Sequence, residues 1–228
     1  MPSSTVSLIA WDPESPAHVG RLFQQRVACG WKSDCVESWR HLQRQGKMAI
    51  QWVVLSDDDD AAKLSRHTLR YPMESTPILD TALALGSKPR APTSAAFIPI
   101  GHISLDSECA FEEQADASRG TYCITSFYIS AALQGSGLGR AAMDRVEREA
   151  VKEPLHAKVL TLDTLSNSSM SKETFEEMGL PEPKMSNQDW YERRGYKAWK
   201  LMRGDIKWTD SGNKDWFLDR VLMRKTVA

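Results

Sequence analysis

Residues 127–140 read Phe-Tyr-Ile-Ser-Ala-Ala-Leu-Gln-Gly-Ser-Gly-Leu-Gly-Arg, and this stretch decides the fold. Apolar, β-prone residues lead into closely spaced glycines. The sequence then takes on the period of a helix, with apolar residues at Leu138, Ala142, Val146 and Ala150. The stretch therefore predicts a strand, a glycine-rich turn and the start of a helix. Backbone N–H groups at such a helix start lack intrahelical acceptors and carry partial positive charge, so they can hold a phosphate.

Spacing separates the phosphate-binding loops that use this geometry. A Walker loop closes with a Gly-Lys pair, and residues 127–140 contain none. The dinucleotide fingerprint GxGxxG needs a glycine where Arg140 stands, and it usually opens the first βαβ unit of a chain. A nucleotide or methyl-donor site stays an alternative, supported by Asp163, which follows the loop by about 20 residues.

Gln134, Gly137 and Gly139 match a third pattern, Q/R-x-x-G-x-G/A, and so resemble the signature of the GNAT superfamily of acyl-CoA N-acyltransferases. Downstream, residues 191–196, Tyr-Glu-Arg-Arg-Gly-Tyr, resemble the second signature of that family, Tyr-Glu-x-x-Gly-Phe/Tyr. The sequence of residues 187–191, which follows a long insertion, looks most like that of fungal members of the family. Two motifs in the right order make the resemblance far stronger than one.

The order of predicted elements is also similar to that of the family. Strands are predicted at 6–10, 48–55, 97–105, 121–130, 158–163, 196–202 and 216–224. Helices are predicted at 17–30, 33–46, 171–178 and 187–194, and from the glycine-rich loop to near Pro154. The resemblance implies an α/β (α+β) fold with a mixed central sheet of about seven strands and about four flanking helices, splayed at the middle strands. We expect one domain over residues 1–228, with insertions at 57–96 and 165–186. The first insertion predicts a long loop that begins with an acidic run at 57–60.

The resemblance also implies a site for acetyl-CoA or another acyl-CoA as cosubstrate. The strand that contains Ile129 would separate from the strand at 158–163 and leave a gap for the pantetheine arm. The backbone N–H of Ile129 would stabilise the developing oxyanion, and Tyr191 would protonate the departing thiolate or else pack on the cofactor. The residues expected to bind the cofactor are Phe127, Tyr128, Ile129, Ser130, Gln134, Gly135, Ser136, Gly137, Leu138, Gly139, Arg140, Asn187 and Tyr191.

The general base is less clear from the sequence. The strand before the loop has no carboxylate, although many family members have a Glu or His there. The base could be a water chain, or His102, Asp106 or Glu108 on the neighbouring strand and its exit. The Asn that the family has after its fifth strand could be Asn167 or Asn187.

Composition limits the classes of partner and cofactor that the protein can have. Lys and Arg (29) balance Asp and Glu (30), which argues against nucleic acid as a partner. The chain has no apolar run of about 20 residues and no basic, apolar start, so we expect a cytoplasmic protein without a membrane partner. We expect it to be a monomer or a homodimer. Four scattered cysteines and five scattered histidines predict neither a disulfide scaffold nor a metal site.

The sequence therefore predicts an N-acetyltransferase that moves an acyl group from acyl-CoA to a small amine by direct attack on the thioester. Two alternatives remain open. One is a protein or peptide acetyltransferase, and the other is a non-catalytic module that only binds acyl-CoA.

Overall fold

The computed structural model describes residues 6–56, 61–210 and 212–227, so the acidic run at 57–60 lies outside the described residues. The strands are β1 (Val6–Ala10), β2 (Ile50–Leu55), β3 (Ile78–Leu79), β4 (Ala84–Leu85), β5 (Lys88–Pro89), β6 (Ala96–Phe97), β7 (Gly101–Asp106), β8 (Thr121–Ile129), β9 (Val159–Leu165), β10 (Lys197–Thr209) and β11 (Asp215–Thr226). The helices are α1 (Pro16–Cys29), α2 (Val36–Arg44), α3 (Ala61–Arg70), α4 (Leu138–Ala150), α5 (Lys172–Glu177) and α6 (Asn187–Arg193).

The main sheet has 7 strands in the order β1-β2-β7-β8-β9-β11-β10. Neighbouring strands are antiparallel except for β8 and β9, which run parallel. The helix α4 connects that parallel pair, as a crossover between parallel strands requires. The predicted mixed sheet of about seven strands is confirmed, and the structure contains more helices than the sequence predicted.

The sheet is divided at its centre. β8 pairs with β9 only at Thr121, Tyr122 and Cys123, and the two strands then separate. On its other side β8 stays paired with β7 as far as Ile129, through a bulge between His102 and Ser104. The parallel strands therefore enclose a gap beyond Cys123, which is the predicted splay.

The core on one face of the sheet is built from α4. This helix buries Leu138, Ala142 and Val146 against strands of the sheet, in the fourfold spacing that the sequence showed. The opposite face is covered by α1 and α2, with Trp11, Trp52 and Leu22 fully buried between them and β2. The two layers fix β8 in the middle of the molecule.

The predicted loop at 57–96 is wrong for residues 61–70, which form the helix α3. The buried member of this helix is His67, and its Nδ1 lies 2.9 Å from the hydroxyl oxygen of Ser130. Because the inward face has a histidine in place of an apolar residue, the usual hydrophobic pattern of a helix is absent. The helix packs behind the carboxyl end of β8.

Two further boundaries differ from the prediction. The strand expected at 97–105 is two strands, β6 and β7, interrupted around Pro99, which has no N–H to donate to a ladder. The closing strands extend beyond the predicted ends and form a long hairpin. Cys109 and Cys123 form a disulfide, a pairing that the cysteine spacing did not predict.

Candidate active site

The turn between β8 and α4 presents free N–H groups. The N–H of Leu133 donates to the carbonyl of Ser130, and the N–H of Ala141 donates to the carbonyl of Gly137. Between them, the N–H groups of residues 137–140 donate to no acceptor in the described part of the chain. They lie at the positively polarised end of a helix, the arrangement that holds a pyrophosphate.

Two glycines give this turn its shape. Gly135 has φ 77° and Gly137 has φ 83°, in the left-handed region that disfavours other residues. Gly139 lies inside the first turn of α4, where a Cβ would be 3.6 Å from Cζ of Phe127 and 3.9 Å from Cζ2 of Trp190. The turn therefore depends on glycine conformation at 135 and 137, whereas a Cβ at 139 would make ordinary van der Waals contacts.

The main chain of Ile129 faces the gap. The N–H of Ser130 donates to the carbonyl of Ile100 on the β7 side, and successive residues of a strand point their polar groups in opposite directions. The N–H and carbonyl of Ile129 consequently point away from β7, toward β9. In agreement, Nε2 of Gln134 donates to the Ile129 carbonyl at 3.2 Å. The Ile129 side chain is buried in the core, so its predicted role is one for the main chain alone.

A cavity of about 230 Å³ lies in the gap, and we call it the reaction cleft. Residues 124–127 of β8 form one wall and residues 163–165 of β9 the other. Asn187 and Tyr191 reach it from α6, four residues apart on one helical face. The remaining lining residues are Arg26, Cys29, Trp31, Lys32, Ile206 and Arg220.

Tyr191 is held in place by its helix. The hydroxyl of Ser186 caps α6 by accepting from the N–H of Asp189, and Arg194 binds Asp144 of α4 at 2.7 Å. The Tyr191 ring packs edge-on against Trp190, with centroids 4.9 Å apart. Its hydroxyl makes no hydrogen bond to the described residues. Burial raises the pKa of Tyr191, Asp163 adds to that effect, and Arg194 opposes it, so the phenol stays protonated at neutral pH.

Some of the other predicted cofactor residues lie at the turn or the reaction cleft, and others pack in the core behind it. Phe127 stacks on Trp190 with centroids 6.2 Å apart, between the turn and the reaction cleft. Tyr128 points to the opposite face, where its ring lies 5.5 Å from that of His102. Ser130 and Leu138 are buried, whereas Gln134, Gly135, Ser136, Gly137 and Arg140 are exposed. The predicted residues thus converge on one region, but the side chains of Tyr128 and Leu138 serve packing.

Two of the three candidate bases lie elsewhere. His102 is fully buried, with Nδ1 2.8 Å from Oε1 of Gln25 and Nε2 3.5 Å from Arg26, and burial lowers its pKa well below the ordinary value. Glu108 pairs with Lys47 at 3.0 Å, outside the reaction cleft. Neither side chain lines the cleft.

Asp106 is connected to the reaction cleft through hydroxyl groups. Its carboxylate accepts hydrogen bonds from the hydroxyls of Ser104 and Thr125 and, at 3.1 Å, from the N–H of Ala49. Oγ1 of Thr125 also lies 3.5 Å from Oγ of Ser126, and both residues line the cleft. Burial raises the pKa of Asp106 to about 6, against the lowering effect of these donors.

Ser126 occupies the bulge of β8. Its φ is 51°, a conformation that is uncommon for residues other than glycine. The strand has one more residue than β7 at this point, which turns the serine out of the regular alternation. Neither Thr125 nor Ser126 belongs to a motif, so the sequence alone identified neither.

The two candidate asparagines lie side by side at the start of α6. Nδ2 of Asn167 donates to Oδ1 of Asp189 at 2.8 Å, and its N–H donates to Oε1 of Gln188 at 2.8 Å. Asn187 lines the reaction cleft and Asn167 does not. Asn167 fastens the chain after β9 to the helix that contains Tyr191.

Three cations in the reaction cleft, Arg26, Lys32 and Arg220, were not singled out in the sequence. Arg220 binds Asp163 and, at 2.6 Å, Asp205. Arg26 contacts the carbonyl of Trp31 at 2.8 Å, and neither Arg26 nor Lys32 has a carboxylate within ion-pair distance among residues 6–56, 61–210 and 212–227. The lining therefore contains three cations and one acid, and the carboxylates of Asp205 and Asp106 lie behind it. Arg26 and Lys32 come from the end of α1 and the turn after it, remote in sequence from both motifs.

The described residues contain no group of three or more His, Cys, Asp or Glu side chains arranged to hold a metal ion. None of their helices has the length and apolar character needed to cross a bilayer.

Comparison with known proteins shows a family match over part of the chain. Residues 92–180 match the sequence profile of the acetyltransferase (GNAT) family. No curated protein sequence matches the chain at a significant level.

Solved structures share the fold. An aminoglycoside 6'-N-acetyltransferase complexed with coenzyme A is 12% identical at a TM-score of 0.51, covering 98% of this chain and 97% of that one. Arabidopsis thaliana NAA60, in complex with a bisubstrate analogue, is 12% identical at 0.53 (98% and 100%). The spermidine/spermine N-acetyltransferase SpeG from Vibrio cholerae is 11% identical at 0.52 (98% and 94%). The fungal resemblance stays a prediction. Residues 92–180 are thus similar to the GNAT acetyltransferase family, and almost the whole chain shares the fold of the solved acetyltransferase structures.

Proposed function

We propose that the protein transfers an acyl group, acetyl in the first instance, from acyl-CoA to the primary amine of a small molecule. The observation that carries the proposal is the arrangement of three features around one gap. The main chain of Ile129 points into the gap between β8 and β9, Tyr191 lines the reaction cleft in that gap, and the glycine-rich turn follows β8 directly. Substrate binding, oxyanion stabilisation and proton donation would therefore occur in sequence along a single channel.

The pyrophosphate of the donor would bind at the start of α4. The row of N–H groups supplies donors without side-chain rearrangement, and the helix dipole adds partial positive charge. Arg140 is exposed there, 3.9 Å from Asp144, and would add one charged contact. Phe127 and Trp190 stack beside the turn and would cover the arm that leads to the thioester.

The thioester carbonyl would lie against the end of β8. The amine nitrogen attacks the carbonyl carbon, and negative charge develops on the oxygen. The N–H of Ile129 points into the gap and is fixed by the sheet, so it can stabilise that charge without reorganising.

Tyr191 would complete the departure of the thiolate. As the C–S bond breaks, the sulfur takes the phenolic proton and leaves as the thiol. An ordinary thiol and phenol have pKa values of about 8.5 and about 10, and burial keeps the Tyr191 phenol protonated.

The proton lost by the amine would pass to Asp106. Ser126 is at the cleft wall, and Thr125 links its hydroxyl to the buried carboxylate. A carboxylate whose pKa is about 6 is ionised at neutral pH and can accept a proton. A chain of waters remains the alternative route, and the Asp106 variant described in the Discussion separates the two.

The proposal is tested with purified protein. Acetyl-CoA should raise the melting temperature through binding to the native state, and thiol release should depend on an added amine. An unchanged melting temperature at saturating acetyl-CoA would contradict the donor assignment. Turnover of peptides without turnover of small amines would assign the protein to the peptide acetyltransferases. Tight coenzyme binding without thiol release for any acceptor would leave a binding module.

A further inference from the structure

A second cavity of about 400 Å³ lies beside the reaction cleft, and we call it the side pocket. It lies between the turn after α1, the segment 165–187 and the β10–β11 hairpin. The two cavities share the lining residues Cys29, Trp31, Leu165 and Asn187. No residue of the turn 134–140 lines it, so it continues the channel on the side remote from the phosphate site.

The side pocket has an apolar wall. Its largest side chains are Met170, Phe175, Met178, Leu180, Trp208 and Leu218. None of the described residues that line it carries a charge. An apolar group that enters such a pocket leaves water without desolvating a charge, and the few polar groups at the entrance orient it.

The side pocket restricts what else the acceptor can carry. A second ammonium group that entered it would lose its water without gaining a carboxylate partner, because none of the described lining residues is acidic. The site therefore disfavours polycations.

We propose that the side pocket binds the apolar group of the acceptor, so that the acceptor is a primary amine on a short linker to one aryl ring or alkyl chain, without a second cationic group. This inference rests on the proposed function. The amine nitrogen would lie in the reaction cleft, near Tyr191 and Ser126. The apolar group would pass between Leu165 and Asn187 into the side pocket.

The test compares three acceptors with acetyl-CoA as donor. 2-Phenylethylamine should have a kcat/KM on the order of 10-fold or more above that of ethylamine, because apolar pockets discriminate by about that factor or more per group. Spermidine should be poorer than 2-phenylethylamine. Equal or better turnover of ethylamine or spermidine would overturn the inference while leaving acyl transfer intact.

A variant checks that the side pocket causes the preference. Leu180 is 39% exposed, so Leu180→Asp should fold while placing a charge in the pocket wall. It should reduce the kcat/KM ratio of 2-phenylethylamine to ethylamine toward one. Leu83→Asp, at a leucine that is 73% exposed and lines neither cavity, is the matched control and should keep the ratio. An unchanged ratio in Leu180→Asp, with a normal melting temperature, contradicts the assignment.

Two further measurements separate the inference from the proposed function. Calorimetric titration of 2-phenylethylamine into the coenzyme A complex should show binding that Leu180→Asp weakens, and no binding to the wild type overturns the inference. Absence of thiol release with every acceptor overturns acyl transfer itself. If octanoyl-CoA is the better donor and Leu180→Asp removes that advantage, the pocket belongs to the acyl chain and the inference fails.

Discussion

Nε2 of Gln134 donates a hydrogen bond to the carbonyl oxygen of Ile129 at 3.2 Å. The first residue of the glycine-rich signature is thereby tied to the last residue of β8. The contact fixes the turn relative to the strand whose main chain faces the gap. It joins the phosphate end of the channel to its reactive end.

Gln134→Ala should therefore weaken acyl-CoA binding several-fold and lower the free energy of unfolding by about 1 kcal/mol, the typical net contribution of one hydrogen bond. Titration calorimetry and urea denaturation measure the two effects. Gln24→Ala, which removes a glutamine that accepts from Arg21 on α1, is the control and should leave coenzyme affinity unchanged. Unchanged affinity in Gln134→Ala would remove the turn from the binding site.

Gly137→Ala should lower coenzyme A affinity by about 10-fold or more, since the helix start must shift to relieve a positive φ that costs about 1–2 kcal/mol with a side chain. Gly204, with φ 59° in β10, provides a matched substitution with similar backbone strain outside the turn. Both variants should lose stability, and only Gly137→Ala should lose affinity. Equal affinities in the two variants would contradict the phosphate cradle.

Tyr191→Phe should leave coenzyme A affinity and the melting temperature almost unchanged, because the hydroxyl has no hydrogen bond to the described residues and the ring is retained. If the phenol protonates the thiolate, kcat should fall by about 10²-fold, the usual contribution of general acid catalysis. The loss should shrink with a donor whose thiol is more acidic. An unchanged kcat, with chemistry limiting turnover, would give Tyr191 a packing role only.

Asp106 should introduce a pH dependence into both activity and stability. Its pKa is raised from 3.8 to about 6 in the folded protein, so the folded state binds the proton more tightly than the unfolded state. Stability is therefore highest below the lower value and falls as the pH rises to about 6, by about 3 kcal/mol at about 1.4 kcal/mol per pKa unit. Urea denaturation across this window should show the decline, and Asp106→Asn should remove it.

The same carboxylate should control turnover if it accepts the amine proton. The kcat/KM profile of the wild type should rise through about pH 6, and Asp106→Asn should lose that limb along with activity. Thr125→Val, which breaks the link to Ser126, should reduce kcat while Thr125→Ser retains it. A wild-type pH profile in Asp106→Asn would favour a water chain as the base.

The sequence predicted the central elements because their chemistry is local. β8, the turn and α4 follow from one continuous stretch with a clear change of period, and Ser186 and Gly195 mark the ends of α6. α3 was missed because its inward residue is His67, so the rule that buried faces are apolar fails there. Its partner, Ser130, is distant in sequence.

The residues of the candidate site also fall into those that the sequence predicted and those that only the fold reveals. Gln134 and Tyr191 belong to motifs, and Ile129 acts through its main chain, so patterns could find them. Ser126 lies at the bulge of β8 and Arg26 reaches the cleft from α1, and neither these residue types nor that of Thr125 indicate a site alone. The sequence alone could not select Asp106 among the candidate bases, because the choice depends on its burial and on the Thr125 hydroxyl that lies between it and the cleft.

The short pairing of β8 with β9 also divides the main sheet into two hydrogen-bonded ladders. One ladder joins β1, β2, β7 and β8, another joins β9, β11 and β10, and only Thr121, Tyr122 and Cys123 connect them through the sheet. Local opening should follow this seam, so amide hydrogen exchange should report two units of different stability. A molecule lying along the gap would contact both units and make them open together. With the donor substrate bound, the amide hydrogens of both units should therefore exchange at similar rates.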